Sequence, residues 1–175
     1  MDYVILPFLF IFSGFFMKYS DDLYDVSQNS LYSSFFGLVC GVISAVASII
    51  YPGASYIFIS IIFGTLIAFK IDGPHHLIAL ISFIIICLIF GIPNFNLVIL
   101  LICILAAFGD EVGHEFFAKN QSNSFLSLFF EYRFLMKIVV FLLAIFNAFD
   151  IMIFIYFILF EVSYLMGGWV FEKLN

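Results

Sequence analysis

Long apolar runs separated by short polar breaks set the pattern of this chain. About 15 to 20 residues at a time pass without a charged side chain, the signature of helices that cross a bilayer. Charges and Pro, Gly and Asn turns divide the sequence into seven spans, at about 3–19, 33–51, 54–70, 75–91, 95–109, 125–147 and 151–170. "YPGAS" turns the chain between the second and third, "GIPN" between the fourth and fifth, and "NAFD" between the sixth and seventh. A polar stretch, "HEFFAKNQSNS", separates the fifth from the sixth. Only helices satisfy their own backbone hydrogen bonds in lipid over such lengths. The expected fold is all-α, a polytopic bundle of about seven transmembrane helices forming one domain over 1–175, with six spans as the alternative count. The sixth span can begin at residue 125 or at 134, because "EYR" interrupts its first half. Runs of fifteen or sixteen residues rise only ~23 Å, against a hydrocarbon core of ~30 Å. Their polar ends are therefore expected at the interface, with the bilayer locally thinned or the ends drawn in.

Composition agrees. The chain is 65% hydrophobic and 10% charged, with 27 Phe, whereas soluble domains use about 45–50% apolar and about 25% charged residues. Six Lys plus Arg in total argue against nucleic acid as a partner. The net charge of −6 identifies no partner, since the acids cluster at helix ends. Cys40, Cys87 and Cys103 lie in apolar runs without C-x-x-C spacing and read as small buried hydrophobes. Asp2 stands where a signal peptide carries Lys or Arg, and no A-x-A-like site follows. The first run is expected to be a retained span.

Counting crossings puts the ends of spans 1, 3 and 5, the start of span 6 and the end of span 7 on one side. Lys18, Lys70, Lys119, Arg133, Lys137 and Lys173 all fall there, which random sidedness would give roughly one time in thirty, so that side is assigned to the cytoplasm. The N-terminus is expected outside and the C-terminus in the cytoplasm, most simply in the cell membrane. Three segments reaching this side, "FMKYSDD", "AFKIDGP" and "AAFGDEV", each run aromatic then acidic, a weak internal repeat. Small residues at helical spacing, Ser33, Gly37, Gly41, Ala45 and Ser48 in span 2 and Ser60, Gly64 and Ala68 in span 3, are expected to let helices pack closely.

The chemistry-bearing residues gather at the same polar ends. In "SDDLYD", Asp21 and Asp25 stand at i, i+4 and Asp22 and Asp25 at i, i+3, so a helix puts at least two carboxylates on one face. Like charges this close call for a cation, and hard oxygen ligands suit Mg²⁺ bridging a phosphate. In "KIDGPHH", Gly73-Pro74 turns into span 4, and Asp72 and His75 at i, i+3 are candidates for an acid–base pair or ligands. His75 and His76 are adjacent and about 100° apart on a helix, so one metal is seldom held by both. In "GDEVGHE", Asp110, Glu111 and Glu115 are candidate metal ligands beside His114, a candidate acid–base group. A single Glu-x-x-His copy falls short of a di-iron set, and the H-E-x-x-H order is absent. Arg133 and Lys137, one turn apart in "FFEYRFLMK", are candidates to clamp a phosphate. Glu161, midway along the last span, must pair, protonate or face a cavity. His114, Arg133 and Lys137 are its candidate partners.

"SDDLYD" at the end of a span resembles the first aspartate-rich motif of UbiA-type intramembrane prenyltransferases. The resemblance implies that Asp21, Asp22 and Asp25 hold Mg²⁺ on an isoprenoid diphosphate, and that Asp110 to Glu115 correspond to the second motif. The motif covers about six of 175 residues, and the family's chains are longer. The functional expectation is a divalent-metal-dependent membrane enzyme, a Mg-dependent transferase or hydrolase acting on a lipid phosphate or isoprenoid diphosphate, with Mn or Zn as alternative metals. A divalent cation or proton transporter, and a non-catalytic membrane subunit, are the rival readings. Membrane lipid is the expected surrounding in each.

Overall fold

A computed structural model describes residues 2–119 and 124–174, with side chains from 4–117 and 125–174. Residues 120–123 of the polar stretch, and the side chains of Asp2 and Lys119, lie outside the described residues. The described secondary structure is helical throughout: α1 (Asp2–Asp25), α2 (Ser30–Ile50), α3 (Pro52–Ile67), α4 (Pro74–Phe90), α5 (Leu97–Lys119), α6 (Ser124–Glu131), α7 (Phe134–Ile145) and α8 (Ile151–Leu174).

The turns follow local chemistry. Asn29 caps α2 by accepting the Tyr32 N–H at 3.2 Å, and Pro52 and Pro74 open α3 and α4. Gly91, at φ +76°, ends α4 in the left-handed region open to glycine. Asn147, at φ +57°, turns the chain between α7 and α8.

The contacts give the helix directions. Gly37 faces His75 and Gly41 faces Ala79, so α2 and α4 run parallel. Gly14 faces Phe160 and Gly167 faces Phe15, so α1 and α8 do too. Between α1 and α2 the order reverses, with Ser13 bonded to Ser44 and Phe16 stacked on Phe36. Lipid tails are as apolar as the side chains, so helix association there depends on close packing and hydrogen bonds. Both are present. A Cβ on Gly37 would lie 2.5 Å from the His75 carbonyl oxygen, and one on Gly64 would lie 2.6 Å from Ala107 Cβ. Ser163 donates across to the Ile11 carbonyl, and Ser55 Oγ donates to Ser48 O at 2.6 Å. Ser33, Gly37, Gly41, Ala45, Ser48, Ser60 and Gly64 of the small-residue stripes are all buried, whereas Ala68 caps the end of α3 and is half-buried.

At the centre, every residue from 53 to 60 on α3 is buried. Phe58 packs there at a tilt against Phe10 and edge-on against Phe160, beside Ile57, Ile153 and Phe157. The outside is apolar as well: Phe8 and Phe12 on α1, Leu88 on α4, Leu105 on α5 and Val162 on α8 are exposed. An apolar exterior around small and polar interior contacts is the pattern of a protein solvated by lipid.

Four helices, α1, α2, α5 and α8, are long and apolar enough to cross a membrane. The 16, 17 and 12 residues of α3, α4 and α7 rise only about 24, 26 and 18 Å. Length and composition thus support four spanning helices, fewer than the expected seven.

The sixth expected span is not one helix. It breaks at Tyr132–Arg133, where Arg133 takes φ +49°, ψ +51°, and α7 begins at 134. The break has an identifiable cause. Asp110 of α5 accepts the N–H groups of Leu135 (3.0 Å) and Met136 (2.7 Å), which a continuous helix would send back to residues 131 and 132. The freed Tyr132 carbonyl is taken by the Lys137 ammonium.

Candidate functional site

Both termini of the acidic segments are helical: Asp21, Asp22 and Asp25 ride the last turns of α1, and Asp110 to Glu115 continue α5. With the helix directions above, the C-terminal ends of α1, α3, α5 and α8 meet the N-terminal ends of α2, α4 and α7. Polar side chains converge at this end of the bundle. The opposite end holds the Tyr56 hydroxyl, which accepts the Asn96 N–H at 2.6 Å, with Phe95 and Phe149 against its ring.

Two groups of charged residues form at the polar end. In the first, Asp21 Oδ1 lies 3.2 Å from His75 Nε2 and 3.6 Å from His76 Nε2. Exposed Asp72 approaches His76 Nε2 at 3.6 Å rather than His75, its expected partner. The two imidazoles sit 4.1 Å apart, centroid to centroid. Both reach the same carboxylate, contrary to the expectation from a 100° helical separation. The flexible imidazole arms at the first turn of α4 make up the difference, and Gly73 leaves room for them. A Cβ there would lie 2.5 Å from His75 Nδ1. His75 is 1% exposed, and neither of its ring nitrogens has a hydrogen-bond partner.

The second group surrounds the α6–α7 break. Arg133 pairs with Glu111 at 2.9 Å, and its guanidinium lies 5.6 Å from the Tyr164 ring centroid. Lys137 pairs with Glu161 at 3.1 Å, so the ionisable group on α8 finds its partner on α7. Glu161 and Asp21 also act electrostatically on Arg133.

A cavity of about 90 Å³ joins the groups. Asp21, His76, Arg133 and Tyr164 reach its wall, while Ile61, Phe83 and other apolar side chains make most of the rest. A smaller cavity of about 20 Å³ also borders Arg133, against Asp110, Glu111 and Glu161.

The remaining sequence candidates lie away from the larger cavity. Lys18 holds Asp22 at 2.7 Å along α1, and Lys70 holds Glu115 at 2.9 Å. Asp25 is exposed at the end of α1. His114 is half-buried on α5, and neither cavity wall includes it. Asp110 is 1% exposed, with both oxygens bonded to the α7 backbone. Two residues were not among the sequence candidates. His76 was passed over because adjacent histidines on a helix point about 100° apart. Tyr164 carried one available signal, its place one turn after Glu161 on the same face of α8. No known protein family, curated protein or solved structure matches the chain.

Proposed function

We propose that this is a seven-span integral membrane protein, N-terminus outside and polar end cytoplasmic, that acts as a divalent-metal-dependent enzyme on a lipid phosphate or isoprenoid diphosphate. One observation carries the reading. A single cavity has a carboxylate and an imidazole on its wall, a guanidinium and a phenol beside them, and apolar side chains for most of its lining. That mixture suits an amphiphile with an anionic head and a hydrocarbon tail. Arg133 would hold the phosphate, exchanging or sharing its contact with Glu111, and Tyr164 would donate to it. A divalent ion bound near Asp21 would act as a Lewis acid on the phosphoryl oxygens. The "SDDLYD" resemblance supports the substrate class. Of its three aspartates, Asp21 is the one at the cavity.

The test uses the full-length protein in nanodiscs with farnesyl diphosphate or phosphatidic acid and a divalent ion. Phosphate or diphosphate release that requires the ion is expected. Asp21→Asn and Arg133→Gln should each slow it by roughly a hundredfold or more. If wild type neither turns these lipids over nor melts at a higher temperature with them, the proposal fails.

The α6–α7 break favours a second reading. Interrupted helices lined by ionisable groups are how secondary transporters build binding sites. Proton or cation flux in proteoliposomes, reduced by Glu161→Gln while lipid turnover is absent, would select it.

A further inference from the structure

We infer that Asp21, His75 and His76 form a site for one nitrogen-preferring divalent transition metal, zinc or ferrous iron in class, rather than for Mg²⁺. This deepens the enzyme reading, resting on it for the role of the metal but on the residues themselves for its identity.

Spacing is the first support. One ligand atom from each residue lies within 4.8 Å of the other two. The carboxylate oxygen stands 3.2 and 3.6 Å from the two imidazole nitrogens. A four-coordinate ion with bonds of about 2.0–2.2 Å has ligand-to-ligand edges of roughly 3.3–3.6 Å. The second support is satisfaction. His75 is 1% exposed, and its Nδ1 and Nε2, like Asp21 Oδ1, have no hydrogen-bond partner. The 3.2 Å approach of His75 to Asp21 is therefore close without being aligned as a hydrogen bond. Buried polar atoms are seldom left this way, and metal coordination satisfies a nitrogen and an oxygen together.

Charge points the same way. Elsewhere in the pocket the anions are matched: Glu111 by Arg133, Glu161 by Lys137, Asp110 by the N-terminus of α7. Asp21 feels Arg133 only at longer range, and among the described residues no Lys or Arg stands within ion-pair distance of it. Two imidazoles and one carboxylate suit zinc or ferrous iron, whereas Mg²⁺ takes oxygen ligands and keeps its waters. Three protein ligands leave coordination open for water or substrate, and two of them, Asp21 and His76, lie on the cavity wall.

The experiment is metal binding by the tag-free, full-length protein in detergent after chelation. Elemental analysis follows dialysis against Zn(II) with Mg(II) in excess, and Co(II) is used as a visible-absorption probe. One Zn(II) or Co(II) per chain is expected. Asp21→Asn and His75→Ala should each weaken binding about a hundredfold or more, and Glu172→Gln should leave it unchanged. Since His75→Ala removes a buried ring, His76→Gln, at the more exposed ligand, gives an independent readout with circular dichroism as the folding check. No bound Zn(II) in folded wild type, preference for Mg(II), or Zn(II) binding that survives loss of both imidazoles overturns the site. Bound Zn(II) without lipid turnover sinks the enzyme reading alone, and lipid turnover that runs on Mg(II) with no Zn(II) bound sinks the site alone.

Discussion

Asp110 accepts two backbone N–H groups from a helix that is not its own, and its carboxylate charge faces the positive end of α7. Two otherwise orphaned donors depend on it. Asp110→Ala is therefore expected to destabilise the protein by about 1–3 kcal/mol, seen as a melting temperature in detergent that is lower than wild type by a similar amount with and without added metal. Were Asp110 a metal ligand, metal would stabilise wild type and leave the variant unshifted. Lys137 and Glu161, 14% and 16% exposed at the side chain, form the partly buried counterpart. Removing one partner strands the other in a low-dielectric setting. Glu161→Gln alone should cost more than Glu161→Gln with Lys137→Met, a coupling measurable by a double-mutant cycle. A sequence shows that these groups are present, but it does not show which backbone or side chain each will meet.

At the scale of elements, the glycines of α2 set where α4 lies. Gly37 lets the His75 carbonyl come so close that even a methyl group would have to move backbone. Gly37→Ala is expected to cost about 1–3 kcal/mol by overpacking, with no ligand touched, and to shift His75 off Asp21. Loss of Co(II) absorption in a variant that still folds would confirm the coupling. Unchanged absorption would show that α4 slides without carrying its histidines. The i+4 spacing of small residues in spans 2 and 3 announced close packing in advance. The parallel pairing of α2 with α4 did not follow from it, because spacing names a face and not its partner. The break at Arg133 was legible only as an ambiguous start for the sixth span. Its cause lies on α5, over twenty residues earlier.

For the whole molecule, the apolar exterior and the gathering of nearly all described charged side chains at one end, with Asp150 at the other, argue for lipid on every side of the bundle. The sidedness is testable. On a cysteine-free background, single cysteines at Gln28 and Asp72 are expected to react with impermeant maleimide only from the cytoplasmic side. Those at Asn94 and Asn147 should react only from outside. Were α3, α4 and α7 not to span, the four long helices would leave Asp72 labelled from outside with Asn94, and Asn147 from the cytoplasm with Gln28. Glu172, at the polar end, should label with the cytoplasmic set.

The sequence by itself determined that the chain is helical and belongs in lipid, and roughly where the turns fall, because those depend on local composition and on backbone groups that need partners within a few residues. It also collected the chemistry-bearing residues at helix ends. Only Asp22 is consumed locally, by Lys18 one turn away on α1. For the others tertiary structure decided: Glu111, Glu115 and Glu161 end up in ion pairs between helices, and Asp110 in a helix cap. Asp21 meets two histidines some fifty residues away. Such pairings depend on how close one helix approaches another, and that distance is fixed by packing between segments far apart in the chain.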